Sequence, residues 1–128
     1  MTRFSAAFAL AAAAFAAAPA FATQGLDCRP VSGSGPRVSF VLAAGGGIAG
    51  ASLFEGRGHR STFRPADGLV LRQSWIDEQR VWADFADSGG LEDEGRLRGS
   101  FVRQGRRWHV AATLLRGGRL YRMRCEEG

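Results

Sequence analysis

Lysine is absent from this chain, tyrosine occurs once, cysteine and histidine occur twice each, and no acid falls between Gly95 and Cys125. Each shortage excludes something. The two cysteines, Cys28 and Cys125, lack the Cys-x-x-Cys spacing of a redox-active pair and are too few for a structural metal site. The two histidines, His59 and His109, have no close ligand spacing to a carboxylate, so the pattern calls for no metal and no cofactor. His59 sits in a glycine-arginine stretch expected to be a loop, and His109, opposite the apolar set of its strand, is expected to face solvent. Gly50-Ala51-Ser52-Leu53-Phe54 departs from a Gly-x-Ser-x-Gly nucleophile elbow at its last position. A small hydrolase using either histidine with a nearby carboxylate is the weakest functional reading, and no catalytic residue is assigned. No apolar run after residue 22 is long enough for a membrane-crossing helix.

The opening residues have the form of an export signal. Arg3 is followed by the apolar run Phe4 to Ala18, and Ala20-Phe21-Ala22 fits a small-x-small cleavage pattern, so residues 1–22 are expected to be removed. Asp27 beside Cys28 argues against lipid attachment. What remains, 23–128, has the length of one domain. Export to the periplasm or beyond puts the even pair of cysteines where disulfides persist, and a bond between them would tie the two ends of the domain together.

Glycine and short polar clusters punctuate the chain, and between them run alternating apolar residues. Val38, Phe40 and Leu42 share a face, as do Val81, Ala83 and Phe85; Leu97, Gly99 and Phe101; Trp108, Val110, Ala112 and Leu114; and Tyr121, Met123 and Cys125. Breaks fall at Gly45-Gly46-Gly47, Gly56-Arg57-Gly58, Asp67-Gly68, Asp77-Glu78, Ser88-Gly89-Gly90, Gly105 and Gly117-Gly118. No stretch joins helical spacing to a cap. The tempting one, Ile48 to Phe54, is interrupted by Gly50 and reads as an edge strand or bend. Leu91 to Glu94 reads as a solvated acidic loop. The pattern predicts an all-β fold, a small antiparallel up-and-down barrel of about eight or nine strands. Its first and last strands pair at a seam closed by Cys28–Cys125, with an apolar, filled interior and no free edge.

Gly45 to Gly50 satisfies Gly-x-Gly-x-x-Gly after a strand. A dinucleotide site would also need a helix and a second parallel strand ending in an acid, and neither follows. A glycine-rich hairpin loop is the simpler reading.

Charge is unevenly placed. Removing Arg3 with the leader lowers the formal net charge of +5 by one, and nine arginines stand between Gly95 and Cys125. Paired strands would bring Arg96, Arg98, Arg103, Arg106, Arg107, Arg122 and Arg124 onto a positive face with His109 and Trp82 nearby. Such a face suits anionic lipid, lipopolysaccharide or acidic polysaccharide, with nucleic acid the less fitting polyanion. The leading reading is an exported, non-enzymatic binding protein. The competing one is a protein inhibitor or interaction module acting through the loops Ser32 to Pro36 and Gly45 to Gly50. The bland alternative is that these arginines are ordinary exposed barrel surface.

With its export signal, seam cysteines and glycine-punctuated strands, the chain resembles small exported β-barrel proteins of the type that includes bacterial inhibitors of C-type lysozyme. Leu26-Asp27-Cys28-Arg29-Pro30 and Cys125 are similar to the opening and closing segments of other small exported barrels. The resemblance implies recognition of lysozyme by a Ser- and Tyr-bearing loop. Ser32-Gly33-Ser34-Gly35 is similar to such a loop but follows the first strand, and Tyr121 lies within the last. Lysozymes are basic, so a basic domain would be repelled.

Overall fold

The computed structural model describes residues 24–128, so the expected export signal and its cleavage point lie outside the described residues. The described chain forms nine strands: β1 (Gln24–Pro30), β2 (Arg37–Leu42), β3 (Ile48–Glu55), β4 (Gly58–Ser61), β5 (Leu69–Ile76), β6 (Arg80–Asp87), β7 (Asp93–Gln104), β8 (Arg107–Arg116) and β9 (Arg119–Glu127). One 3-10 turn, Pro65–Asp67, links β4 to β5. The glycine-rich breaks fall between strands, as the alternation predicts. Among the described residues no helix is long and apolar enough to cross a membrane.

All ladders are antiparallel, and the sheet runs β4-β3-β2-β1-β9-β8-β7-β6-β5. Consecutive strands pair as a meander, and β1 also pairs with β9, which nearly closes the sheet into a barrel. The expected seam is present: Cys28 and Cys125 are direct partners in the β1–β9 ladder and are disulfide-bonded. The expectation of no free edge is corrected, because β4 and β5 do not pair. Side chains take the hydrogen bonds a further ladder would use. Asp67 Oδ2 accepts from the Ser61 amide at 2.8 Å, and Arg60 Nε and Nη2 donate to the carbonyls of Asp67 and Gly68. Pro65 in the same connection has no amide to donate.

Two further expectations are revised. Ile48 to Phe54 is neither edge nor bend, since β3 pairs with β2 on one side and β4 on the other. Gly50 is tolerated inside the strand because the Phe63 ring occupies the space its side chain would fill. The nucleotide-like glycine motif therefore resolves into a turn, with Gly46 and Gly47 at positive φ, followed by a strand. Leu91 to Glu94 is also more than a solvated loop, because β7 starts at Asp93 and Glu94 is held by arginines.

The interior is apolar and filled. Leu26, Cys28, Val38, Phe40, Leu53, Val81, Phe85, Leu97, Val110, Leu114, Met123 and Cys125 are buried, and the Phe40 and Phe85 rings stack across the core with centroids 6.1 Å apart. Gly99 faces this core where β7 and β8 approach closely. A methyl group there would lie 2.6 Å from Val110 Cγ1.

The disulfide joins residues 97 apart in sequence. In the chain-entropy picture, losing a loop of that size costs about 4–5 kcal/mol of stability. Denaturant unfolding of Cys28→Ala/Cys125→Ala should show a loss of this order, and an unchanged midpoint would mean that the β1–β9 ladder holds the seam without the bond.

Candidate anion-binding groove

Strand parity sends Arg80 and Trp82 of β6, Arg98 and Ser100 of β7, His109, Ala111 and Thr113 of β8, and Arg122 and Arg124 of β9 to the outside of the barrel. Register aligns them in two rows across the strands. One row runs Trp82, Arg98, Thr113, Arg122; the other runs Arg80, Ser100, Ala111, Arg124 and on to Arg29 of β1. The second row is small at its centre, Ser100 and Ala111, between long flanks, and Thr113 extends that low floor into the first row beside Arg98. The result is an open depression of about 980 Å³, floored around Ser100, Ala111 and Thr113 and flanked by arginines, Trp82, Gln73 and Val31.

The arginines are not equivalent. Arg98 lies over the Trp82 ring, its guanidinium carbon 5.2 Å from the ring centroid, and Nη1 is 2.8 Å from Asp84 Oδ1. That approach is outside hydrogen-bond geometry, and Nη1 donates instead to the Leu97 carbonyl. Gln73 Nε2 donates to the other Asp84 oxygen at 2.9 Å. Burial pushes the Asp84 carboxyl up, but the contacts from Arg98 and Gln73 outweigh it and hold the group below the usual aspartate value. Arg124 pairs with Glu126 at 2.8 Å, an exposed contact of little energetic weight. Arg80 and Arg122 make no ion pair among the described residues. They place guanidinium groups free of ion pairs on two sides of the floor, with Asp77 near Arg80 at longer range.

His109 requires a correction. It does lie on the outer face, but it is only 8% exposed and lines the groove instead of standing in solvent. The outer face is concave here, so a residue near its small floor loses exposure that parity alone would give it. His59 is also placed differently, in β4 and not in a loop. Its ring stacks on Phe54 with centroids 4.5 Å apart, and Nδ1 is 3.2 Å from Arg64 Nη2.

The remaining members of the arginine block are elsewhere. Arg96 pairs with Asp93 at 3.2 Å, near the other end of β7. Arg103, Arg106 and Arg107 surround the β7–β8 turn and are exposed, without ion pairs among the described residues. Arg103 follows the inward parity of β7, so the block does not form one continuous face. Trp108 shares the inward parity of Val110 but is 42% exposed, because its end of β8 runs past the core; it packs on Phe101 with centroids 5.1 Å apart.

Arginine also serves a structural role at the opposite end. Arg116 Nη1 donates to Glu94 Oε2 at 2.6 Å and Arg60 Nη1 to the same oxygen at 3.1 Å, while Arg116 Nε reaches Glu55 at 3.1 Å. This cluster joins β3 and β4 to β7 and β8, bracing the side of the barrel that lacks a ladder. Arg116, with Arg60 behind it, outweighs burial and holds the Glu94 carboxyl below the ordinary glutamate value. Glu55 first and Glu94 second raise the Arg116 guanidinium against the opposing effect of burial.

Sequence reasoning missed Arg80 and the floor residues Ser100, Ala111 and Thr113. Arg80 lies outside the acid-free block, and small residues between arginines are a signal only once the strands are in register. Among the described residues no three His, Cys, Asp or Glu side chains gather as a metal site would require. No protein-family model matches the chain, and neither a curated protein nor a solved structure matches it significantly.

The Glu94 cluster sets a pH dependence. Its folded carboxyl value is below the unfolded one, so its stabilisation is complete above the ordinary glutamate range and is lost as pH falls through the folded value. Glu94→Gln should lower stability by about 1–2 kcal/mol at neutral pH, with the difference from the parent shrinking in acid. Chemical unfolding across pH checks this, and a deficit independent of pH would assign the loss to packing.

Proposed function

We propose that this is an exported, non-enzymatic binding protein whose outer groove takes an anionic ligand, such as the phosphates of lipopolysaccharide or the carboxylates of an acidic polysaccharide. The observation that carries the reading is the pair Arg80 and Arg122, unpaired among the described residues, on either side of a floor made of Ser100, Ala111 and Thr113. Guanidinium groups that make no ion pair beside a concave surface favour anions, and their planar donor fork matches carboxylate and phosphate oxygens. Thr113 and Ser100 add hydroxyl groups, and Trp82 adds an aromatic edge already held by Arg98. Asp84 and Glu126 offset part of the charge, leaving affinity to rest on Arg80 and Arg122 with Arg124 beside them.

A second reading, recognition of a protein through loops as in the bacterial inhibitors of C-type lysozyme, is supported by the end of the barrel that carries Ser32 to Pro36. There Val31 and Leu120 are exposed near the loop, and Gly35 adopts positive φ with the Tyr121 ring against it. Exposed apolar residues beside a short loop suit a protein contact. Net positive charge disfavours a basic partner such as lysozyme.

The two readings separate in a retention experiment. On immobilised heparin and lipopolysaccharide, the oxidised protein should be held at physiological salt, and retention should fall steeply as salt is raised, because each phosphate or sulfate contact releases counterions. Arg122→Glu/Arg124→Glu should elute at markedly lower salt. Equal elution of parent and variant would return the groove to ordinary surface and favour loop-mediated recognition.

A further inference from the structure

The β7–β8 hairpin outruns its neighbours. The β6–β7 ladder ends at Arg80–Ser100, and the β8–β9 ladder ends at Val110–Cys125, yet β7 and β8 continue to pair as far as Gln104–Arg107. The Phe101 amide still donates to the Gln79 carbonyl at 3.0 Å, and the three residues beyond it carry the turn about 10 Å further. This two-stranded arm holds Phe101 and Trp108 against each other, with Trp108 42% exposed, and surrounds them with Arg103, Arg106 and Arg107. Phe101 packs against the barrel core, but the residues beyond it, an exposed indole on β8 and three arginines without ion pairs among the described residues, add nothing to that core.

We infer that this arm docks the barrel onto an anionic lipid surface, separately from the groove. Tryptophan favours the headgroup region, where its ring is in an apolar layer and its N–H meets water and lipid oxygen. Each arginine near a surface of acidic headgroups adds electrostatic attraction. The acids at this end of the barrel do not cancel the arm. Asp77 has the Arg80 charge beside it and Glu126 is paired with Arg124, with Arg107 acting on Glu126 at longer range; Glu78 and Glu127 are the remaining acids here, against Arg103, Arg106 and Arg107. Arg103 and Arg106 flank the tip of the hairpin and are exposed, so they meet an approaching surface ahead of the rest of the barrel. The arm is a two-stranded ribbon with no concave pocket of its own, and a flat charged surface is the partner that shape fits.

Sedimentation with vesicles of phosphatidylglycerol and phosphatidylethanolamine, beside vesicles of phosphatidylcholine, tests the inference. The oxidised protein should sediment with the acidic vesicles only. Arg103→Gln/Arg106→Gln/Arg107→Gln should weaken binding on the order of 100-fold, since each arginine contributes roughly fivefold near such a surface. Those side chains are exposed and unpaired, so the variant should keep the parent's unfolding midpoint. Arg122→Glu, distant from the arm, should leave vesicle binding within about twofold, which separates failure here from failure of the groove. In a Trp75→Phe/Trp82→Phe background, Trp108 is the sole tryptophan, and its emission should shift to the blue on acidic vesicles. Binding to neither vesicle, equal binding to both, undiminished binding by the triple variant, or unmoved Trp108 emission would each overturn the inference. Loss of heparin retention in the triple variant without any vesicle binding would do so too, by assigning the arm to a soluble polyanion.

Discussion

Cys28 and Cys125 face each other as direct partners in the ladder between the first strand and the last, both fully buried. That contact sets the register of β9 against β1, and register in a sheet decides which residues face in. A slip of one residue would turn Met123 outward and bring Arg122 and Arg124 into an apolar interior, where unpaired charge costs several kcal/mol. The covalent bond and the burial of Met123 and Cys125 therefore enforce the same arrangement. From it follows the outward row of arginines on β9, and through the β8–β9 ladder the alignment of Arg122 with Thr113 and of Arg124 with Ala111. The groove is a consequence of the seam.

Arginine, the only strong cation in this chain, serves three ends distinguished by what surrounds it. Near Glu55 and Glu94 it is paired and partly buried, bracing the side where β4 and β5 do not meet. Arg98 is held between the Trp82 ring and Asp84, which fixes a wall of the groove. Arg80, Arg122 and the arginines of the β7–β8 arm make no ion pair among the described residues, and their donor groups stand exposed where an external anion can reach them. Composition alone cannot separate these uses. Coordination can.

Much of the fold is legible in the sequence because its determinants are local. Alternation in Val81-Ala83-Phe85 and Tyr121-Met123-Cys125 fixes the inward faces, glycine and Asp-Gly breaks fix the turns, and two cysteines at the ends point to the seam. The unread features depend on residues far apart. The open β4–β5 edge follows from Arg60 and Asp67 taking backbone partners. Glu94 is drawn from its expected loop into an ion cluster whose Arg116 also reaches Glu55, 61 residues away. Burial of His109 and exposure of Trp108 reverse their expected environments, because period-two reasoning gives the direction of a side chain and not the curvature or length of the sheet around it. The candidate site is likewise half legible: the arginines are visible as an acid-free block, but their division between groove and arm emerges only with register.

The most direct test of anion binding in the groove is a heteronuclear NMR titration following arginine Nε–Hε and tryptophan Nε1–H signals as a short heparin oligosaccharide is added at physiological salt. Binding in the groove should shift Arg80, Arg98, Arg122 and Trp82 together along one saturable curve, with Arg116 unmoved in its ion cluster. Shifts confined to the arm or to the loop around Ser32, with the groove signals stationary at saturation, would contradict it.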